Sequence, residues 1–136
     1  VSAASIVEAA GVSTVTATLS AASSQQVTVT LTATGTATGG GMDYTLASNT
    51  ITINAGSTTG TTTVTAVQDL LDEPNETVIL DITGVTNGTE NGTQQETITI
   101  TDDDEAPTVS LTVNPVTIAE AAGVSTVTAT LTPVHT

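Results

Sequence analysis

Val27-Thr28-Val29-Thr30-Leu31-Thr32 alternates apolar and polar side chains without a break, and this two-residue period returns along most of the chain. A period of two places successive side chains on opposite faces of an extended strand, whereas a helix needs apolar residues three and four apart. Val12–Leu19, Ile51–Ile53, Thr61–Val67, Thr77–Ile82 and Thr97–Thr101 are further strand segments, and Val109–Val113 opens another series. Glu8-Ala9-Ala10-Gly11 makes at most one helical turn, and no other segment keeps a helical period. Threonine supplies about a quarter of the residues and suits a pleated, half-buried surface. Between the strands lie turn signals: Gly39-Gly40-Gly41, Ala55-Gly56-Ser57, Asn87-Gly88 and Asn91-Gly92. Seven or so short strands at this spacing predict an all-β, two-sheet antiparallel sandwich.

An internal repeat sets the organisation. Val1–Ser20 reads VSAASIVEAAGVSTVTATLS and Val113–Thr132 reads VNPVTIAEAAGVSTVTATLT, so Glu8 and Glu120 are equivalent at an offset of 112 residues. We therefore expect one module over residues 1–106 and the first strands of a second, incomplete module over 107–136. The first residue is not Met and no signal peptide is visible, which reads as a mature fragment or a processed product, drawn from a longer tandem array or carrying orphan strands that act in trans.

Composition narrows the function. Phe and Trp are absent, Tyr44 is the single aromatic residue, and the core must be built from Val, Ile, Leu and Ala. There is no cysteine, hence no disulfide framework. Without lysine no Lys–Asn isopeptide crosslink can form. A formal charge of −14 argues against nucleic acid and anionic membrane surfaces as partners. No apolar run reaches the length of a membrane span. An enzyme is not expected either: no Cys or Lys offers a nucleophile, and the one histidine, His135, stands alone near the C-terminus and is expected to be solvated. Tyr44 reads as a core ring.

The chain holds 14 acidic residues and no lysine or arginine. Most of the acids cluster in Asp69-Leu70-Leu71-Asp72-Glu73-Pro74-Asn75-Glu76 and in Asp102-Asp103-Asp104-Glu105, with Glu8 and Asp43 apart. Two carboxylates about 4 Å apart repel by roughly 4 kcal/mol at an effective dielectric near 20. No side chain here can neutralise them, so folding them together calls for a cation from solvent. Hard oxygen donors select a hard ion, and Ca²⁺ suits them best because it takes six to eight oxygens in flexible geometry. Each acidic segment sits at a strand end, and alternate strand ends of a sandwich share one pole. Solvated acidic loops are the plainer alternative.

Four ordered motifs carry a resemblance. They are Gly35-Thr36-Ala37 with Asp43-Tyr44, then Ile51-Thr52-Ile53-Asn54-Ala55-Gly56, then Asp69-Leu70-Leu71-Asp72-Glu73-Pro74-Asn75-Glu76, then a strand ending in Asp102-Asp103-Asp104. Together they resemble a Calx-beta domain over about residues 1–106, of the tandem calcium-binding kind found in bacterial extracellular, adhesin-type proteins. The resemblance implies an immunoglobulin-like sandwich with calcium at one end. The ligands it implies are Glu8, Asp43, Asp69, the Leu71 carbonyl, Glu73, Glu76, Asp102, Asp103 and Asp104. Family members often carry a second acid just before Asp69, where this chain has Gln68, and Asp72 is an extra acid with no assigned part. Asn75-Glu76-Thr77, Asn87-Gly88-Thr89 and Asn91-Gly92-Thr93 are also formal glycosylation sequons.

The expectation is a calcium-binding structural repeat of an extracellular stalk or filament at a cell surface. Ca²⁺ would stiffen the module end and the short Glu105-Ala106-Pro107 joint. Its partners would be neighbouring modules or copies of itself, in a homopolymer built by strand addition through the C-terminal segment. The alternatives are a calcium-sensor domain regulating a transporter and a ligand-binding adhesin domain. The latter needs an exposed apolar or aromatic patch that this sequence does not announce.

Overall fold

The computed structural model describes residues 1–132 of the 136 and forms two units, Val1–Asp69 with Glu73–Asp103, and Leu70–Asp72 with Asp104–Thr136. His135 lies outside the described residues.

The first unit contains eight strands: β1 (Ser5–Val7), β2 (Val12–Thr18), β3 (Val27–Gly35), β4 (Tyr44–Leu46), β5 (Thr50–Ile53), β6 (Thr59–Ala66), β7 (Glu76–Thr86) and β8 (Gln95–Thr101). One sheet runs β1-β8-β7-β3-β5 and the other β2-β6-β4. Alternation explains which side chains meet. Val29 and Leu31 on β3, Val78 and Leu80 on β7, and Ile98 and Ile100 on β8 turn inward, where Val15 on β2, Tyr44 on β4 and Val64 and Ala66 on β6 complete one core. Tyr44 is buried there, as its sequence position suggested.

The antiparallel sandwich holds with one departure, since β1 pairs with β8 in parallel. The cause is connectivity. β1 must run toward the end where the chain turns at Glu8–Gly11 and enters β2 in the opposite sheet. Gly11 permits that turn: a Cβ there would lie 2.3 Å from the Val7 carbonyl oxygen, and the Gly11 N–H already donates to that oxygen at 3.0 Å.

The second unit carries β9 (Thr108–Asn114) and β10 (Thr126–Thr132), an antiparallel pair in register from Thr108↔Thr132 to Asn114↔Thr126. Every residue of both strands is exposed. Among the described residues no helix is long and apolar enough to cross a membrane.

Candidate metal centre

Strand register brings the acidic segments to one pole of the first unit. Val7 pairs with Thr101 in the parallel β1–β8 ladder, so Glu8 and Asp102 both leave the sheet at the same end. Glu76 pairs with Ile100, so β7 begins there too. In the other sheet Tyr44 pairs with Ala66, which puts Asp43 beside the end of β6 and the Gln68-Asp69 segment that follows. Main-chain bonds fix these ends: the Glu8 N–H donates to the Thr101 carbonyl at 2.9 Å, and the Val67 N–H to the Asp43 carbonyl at 3.0 Å.

Side chains then converge. Asp43, Glu73 and Glu76 each offer a carboxylate oxygen, and the three lie within 4.8 Å of one another. Glu8, Asp43, Glu73, Glu76 and Asp102 line one depression with Pro74 and Ile100. It encloses about 10 Å³, room for a single water-sized sphere.

Several contacts hold the carboxylates in place. The Asp69 N–H donates to Glu8 Oε1 at 3.0 Å, joining the end of β6 to the end of β1 across the two sheets. The Thr38 N–H donates to Asp43 Oδ2. The Asp102 N–H donates to Asn75 Oδ1 at 3.2 Å. Gln68 Nε2 donates to the Asp69 carbonyl at 2.6 Å, so the residue that replaces the expected acid braces the loop instead.

The electrostatics are those of a site short of positive charge. Glu8 is buried, and its burial raises the carboxyl pKa; the Asp69 N–H opposes that rise, while the charge of Asp69, a hydrogen bond with the Asp102 carboxyl and the charge of Asp102 add to it. Glu73 is raised by desolvation and then by Asp69, Asp43 and Asp102. Glu76 is pushed up to about 6 by burial, by a hydrogen bond with the Asp43 carboxyl and by the charges of Asp43, Glu73 and Glu8. Two carboxyl groups can hydrogen bond only by sharing a proton; otherwise a cation must lie between them. Asp102 Oδ1 is buried and has no hydrogen-bond partner, as is also true of Asp81 Oδ1 on β7, away from the pole. A buried carboxylate oxygen left unpaired is costly unless an ion supplies the missing partner. The donor set, all oxygen and densely charged, fits Ca²⁺.

The first unit thus brings together six of the nine expected ligands, Glu8, Asp43, Asp69, Glu73, Glu76 and Asp102, at one pole. Asp103 follows them in the chain and is exposed. Leu71 and Asp104 fall in the second unit, as does the extra acid Asp72. Asn75 was missed as a supporting residue. Its sequence signal was a glycosylation sequon, whereas its side chain here anchors Asp102.

A family model described as the Calx-beta domain matches residues 1–104. No curated protein sequence matches the chain. Among solved structures, CBD12 from CALX1.2 is similar with a TM-score of 0.62 at 14% identity, covering 92% of this chain and 65% of that one. The chain thus spans somewhat less than two thirds of that structure's length. A candidate carbohydrate-binding protein from Bacteroides ovatus aligns at 13% identity with a TM-score of 0.48, covering 82% of this chain and 38% of that one.

Proposed function

The chain belongs to the Calx-beta family of calcium-binding domains, and from that premise we propose that its acidic pole holds Ca²⁺ as the stiffening element of a repetitive extracellular stalk or filament. Calx-beta domains bind and regulate rather than catalyse. Glu8, Asp43, Asp69, Glu73, Glu76 and Asp102, all within the first unit, would hold the ion. The observation that carries this reading is the convergence of the Asp43, Glu73 and Glu76 carboxylates, with Glu8 and Asp102 lining the same depression, within a chain that has no lysine or arginine. When bound, Ca²⁺ supplies the positive charge that this chain's own side chains lack.

The structural consequence follows from connectivity. β8 runs directly into Asp102-Asp103-Asp104 and then into Glu105-Ala106-Pro107, where proline holds Ala106 extended. Ordering those carboxylates orders the start of the joint, while their mutual repulsion loosens it. The repeat of residues 8–19 at 120–131 supports an array rather than a solitary module. Extracellular sites bind Ca²⁺ with dissociation constants of about 10⁻⁴ to 10⁻³ M. An ion at 100 times its dissociation constant stabilises by about 2.7 kcal/mol per site, or on the order of ten degrees in melting temperature for a domain this size.

Thermal melts in EDTA and across calcium from micromolar to tens of millimolar test this. A rise that saturates near millimolar supports the extracellular array. A rise complete by micromolar favours the sensor reading, and a flat response overturns the calcium assignment.

A further inference from the structure

The loop that joins β7 to β8 carries one short motif twice in succession, Asn87-Gly88-Thr89-Glu90 and then Asn91-Gly92-Thr93-Gln94. It lies at the end of the first unit opposite the acidic pole, because β7 starts and β8 stops at the pole. Every residue of the loop is exposed. An asparagine before a glycine is chemically vulnerable. Glycine has no Cβ to keep its main-chain nitrogen away from the asparagine side-chain carbonyl carbon.

The two copies sit differently. Asn87 is tied down: its Nδ2 donates to the Gln26 carbonyl at 2.9 Å, and its φ is a left-handed 59°. Gly88 is packed, since a Cβ there would lie 3.2 Å from Val85 Cγ1 and 3.4 Å from Val27 Cγ1. Turning the Asn87 amide toward the Gly88 nitrogen breaks its hydrogen bond. Asn91 has neither restraint. Its side-chain amide has no hydrogen-bond partner among the described residues. A Cβ on Gly92 would meet nothing within 4 Å.

The main chain at Asn91 also carries an activating contact. Gln94 Nε2 donates to the Asn91 carbonyl at 2.7 Å and to the Thr93 carbonyl at 3.3 Å. Gln94 is itself held, its N–H donating to Glu90 Oε1 at 2.7 Å. The Asn91 carbonyl belongs to the same peptide group as the Gly92 nitrogen. When that nitrogen loses its proton, resonance spreads the negative charge onto the carbonyl oxygen, where the Gln94 donor already stands. Glu90 fills the place of Gln94 in the first copy, and an ionised carboxylate has no N–H to donate.

We propose that Asn91 is a self-modification site that deamidates through Gly92 with Gln94 as the activating donor, while Asn87 is protected. The deprotonated Gly92 nitrogen attacks Asn91 Cγ. The new N–Cγ bond closes a cyclic imide as the Cγ–Nδ2 bond breaks, and Nδ2 leaves as ammonia with a proton from water. Water then opens the ring. Addition at Cγ gives aspartate; addition at the main-chain carbonyl gives isoaspartate, with the chain rerouted through the side chain. One water enters, one ammonia leaves, and nothing is oxidised. Either product adds a carboxylate to the loop. The site draws on neither the calcium reading nor the array reading.

The intact chain, folded and in urea, is incubated at neutral and mildly alkaline pH in heavy-oxygen water. Only rings that open during the incubation then carry the label. Cleavage after Glu76, Glu90 and Glu96 separates Asn87 from Asn91 for mass spectrometry. In the folded chain, labelled product at Asn91 should exceed that at Asn87 by roughly tenfold or more. In urea the two rates should converge. Gln94→Leu removes the side-chain donor and keeps the N–H to Glu90. It should slow Asn91 severalfold, move the Asn91 rate against pH to higher pH, and leave Asn87 unchanged. No excess of label at Asn91 in the folded chain overturns the proposal. So does a preference that persists in urea, or an Asn91 rate that is unchanged or raised in Gln94→Leu.

Discussion

The same twelve residues, Glu8–Leu19 and Glu120–Leu131, take one local shape and two environments. Ala10 and Ala122 share a left-handed φ of 59° and 60°. Gly11 and Gly123 donate to Val7 and Ala119 at 3.0 and 3.1 Å. Ser13 Oγ donates to the Ala3 carbonyl at 2.7 Å, and Ser125 Oγ donates to Pro115, the equivalent residue, at 2.6 Å. The turn is therefore written in its own sequence. Burial is not: Val15 is 7% exposed and Val127 63%, and Glu8 is buried where Glu120 is exposed. What turns a peptide segment into half of a metal centre is the arrival of β6, β7 and β8, residues far away in the chain.

Breaking the comparison at its acidic member should give the largest effect. In saturating calcium, Glu8→Gln should remove most of the calcium-induced gain, on the order of 2 kcal/mol, while Glu120→Gln leaves the melt unchanged. In EDTA the sign reverses, since Glu8→Gln relieves a buried charge facing Asp69 and Asp102 and should raise the melting temperature. Next comes the core position. Val15→Ala should cost about 2 kcal/mol by denaturant melt, and Val127→Ala less than about 0.5 kcal/mol. Ser13→Ala strips a buried hydroxyl from the Ala3 carbonyl and should cost about 1 kcal/mol, against almost nothing for Ser125→Ala.

The smallest effect is one of pH, and it distinguishes the two states of the pole. Without calcium, Glu76 in the folded protein holds its proton up to about pH 6, above the ordinary carboxylate range near 4.5. Between those values the folded state binds more protons than the unfolded one, so stability falls as pH rises through the window. In EDTA, melts should rise modestly from pH 7 to pH 5. In calcium they should fall over the same range, because ligand carboxylates must lose their protons to bind the ion. Equal slopes in both buffers would sink this account.

Alternation made β2, β3, β5, β6, β7 and β8 legible, β5 with only four residues because Ile51-Thr52-Ile53 keeps the period. β1 and β4 were not, having three residues each, and their strand character comes from pairing with β8 and β6. The acids were legible as strand-end residues, and the resemblance ordered them into a ligand set. Their wiring was not. The Asp69–Glu8 bond joins residues 61 apart and the Asp102–Asn75 bond residues 27 apart, and both depend on register between strands. Register is a property of paired neighbours, so no single segment displays it.

The short parallel pair of β1 and β8 also determines how this protein answers to pulling. The chain enters the first unit just before β1 and leaves just after β8. Because the two strands run the same way, tension between those points slides one along the other instead of peeling them apart. The three residue pairs from Ser5↔Thr99 to Val7↔Thr101, with the Glu8–Thr101 bond beside them, are loaded together. Single-molecule extension should show this as one abrupt force peak before the sandwich unravels, higher in calcium than in EDTA. A strand of three residues would then act as the mechanical fuse of the whole module.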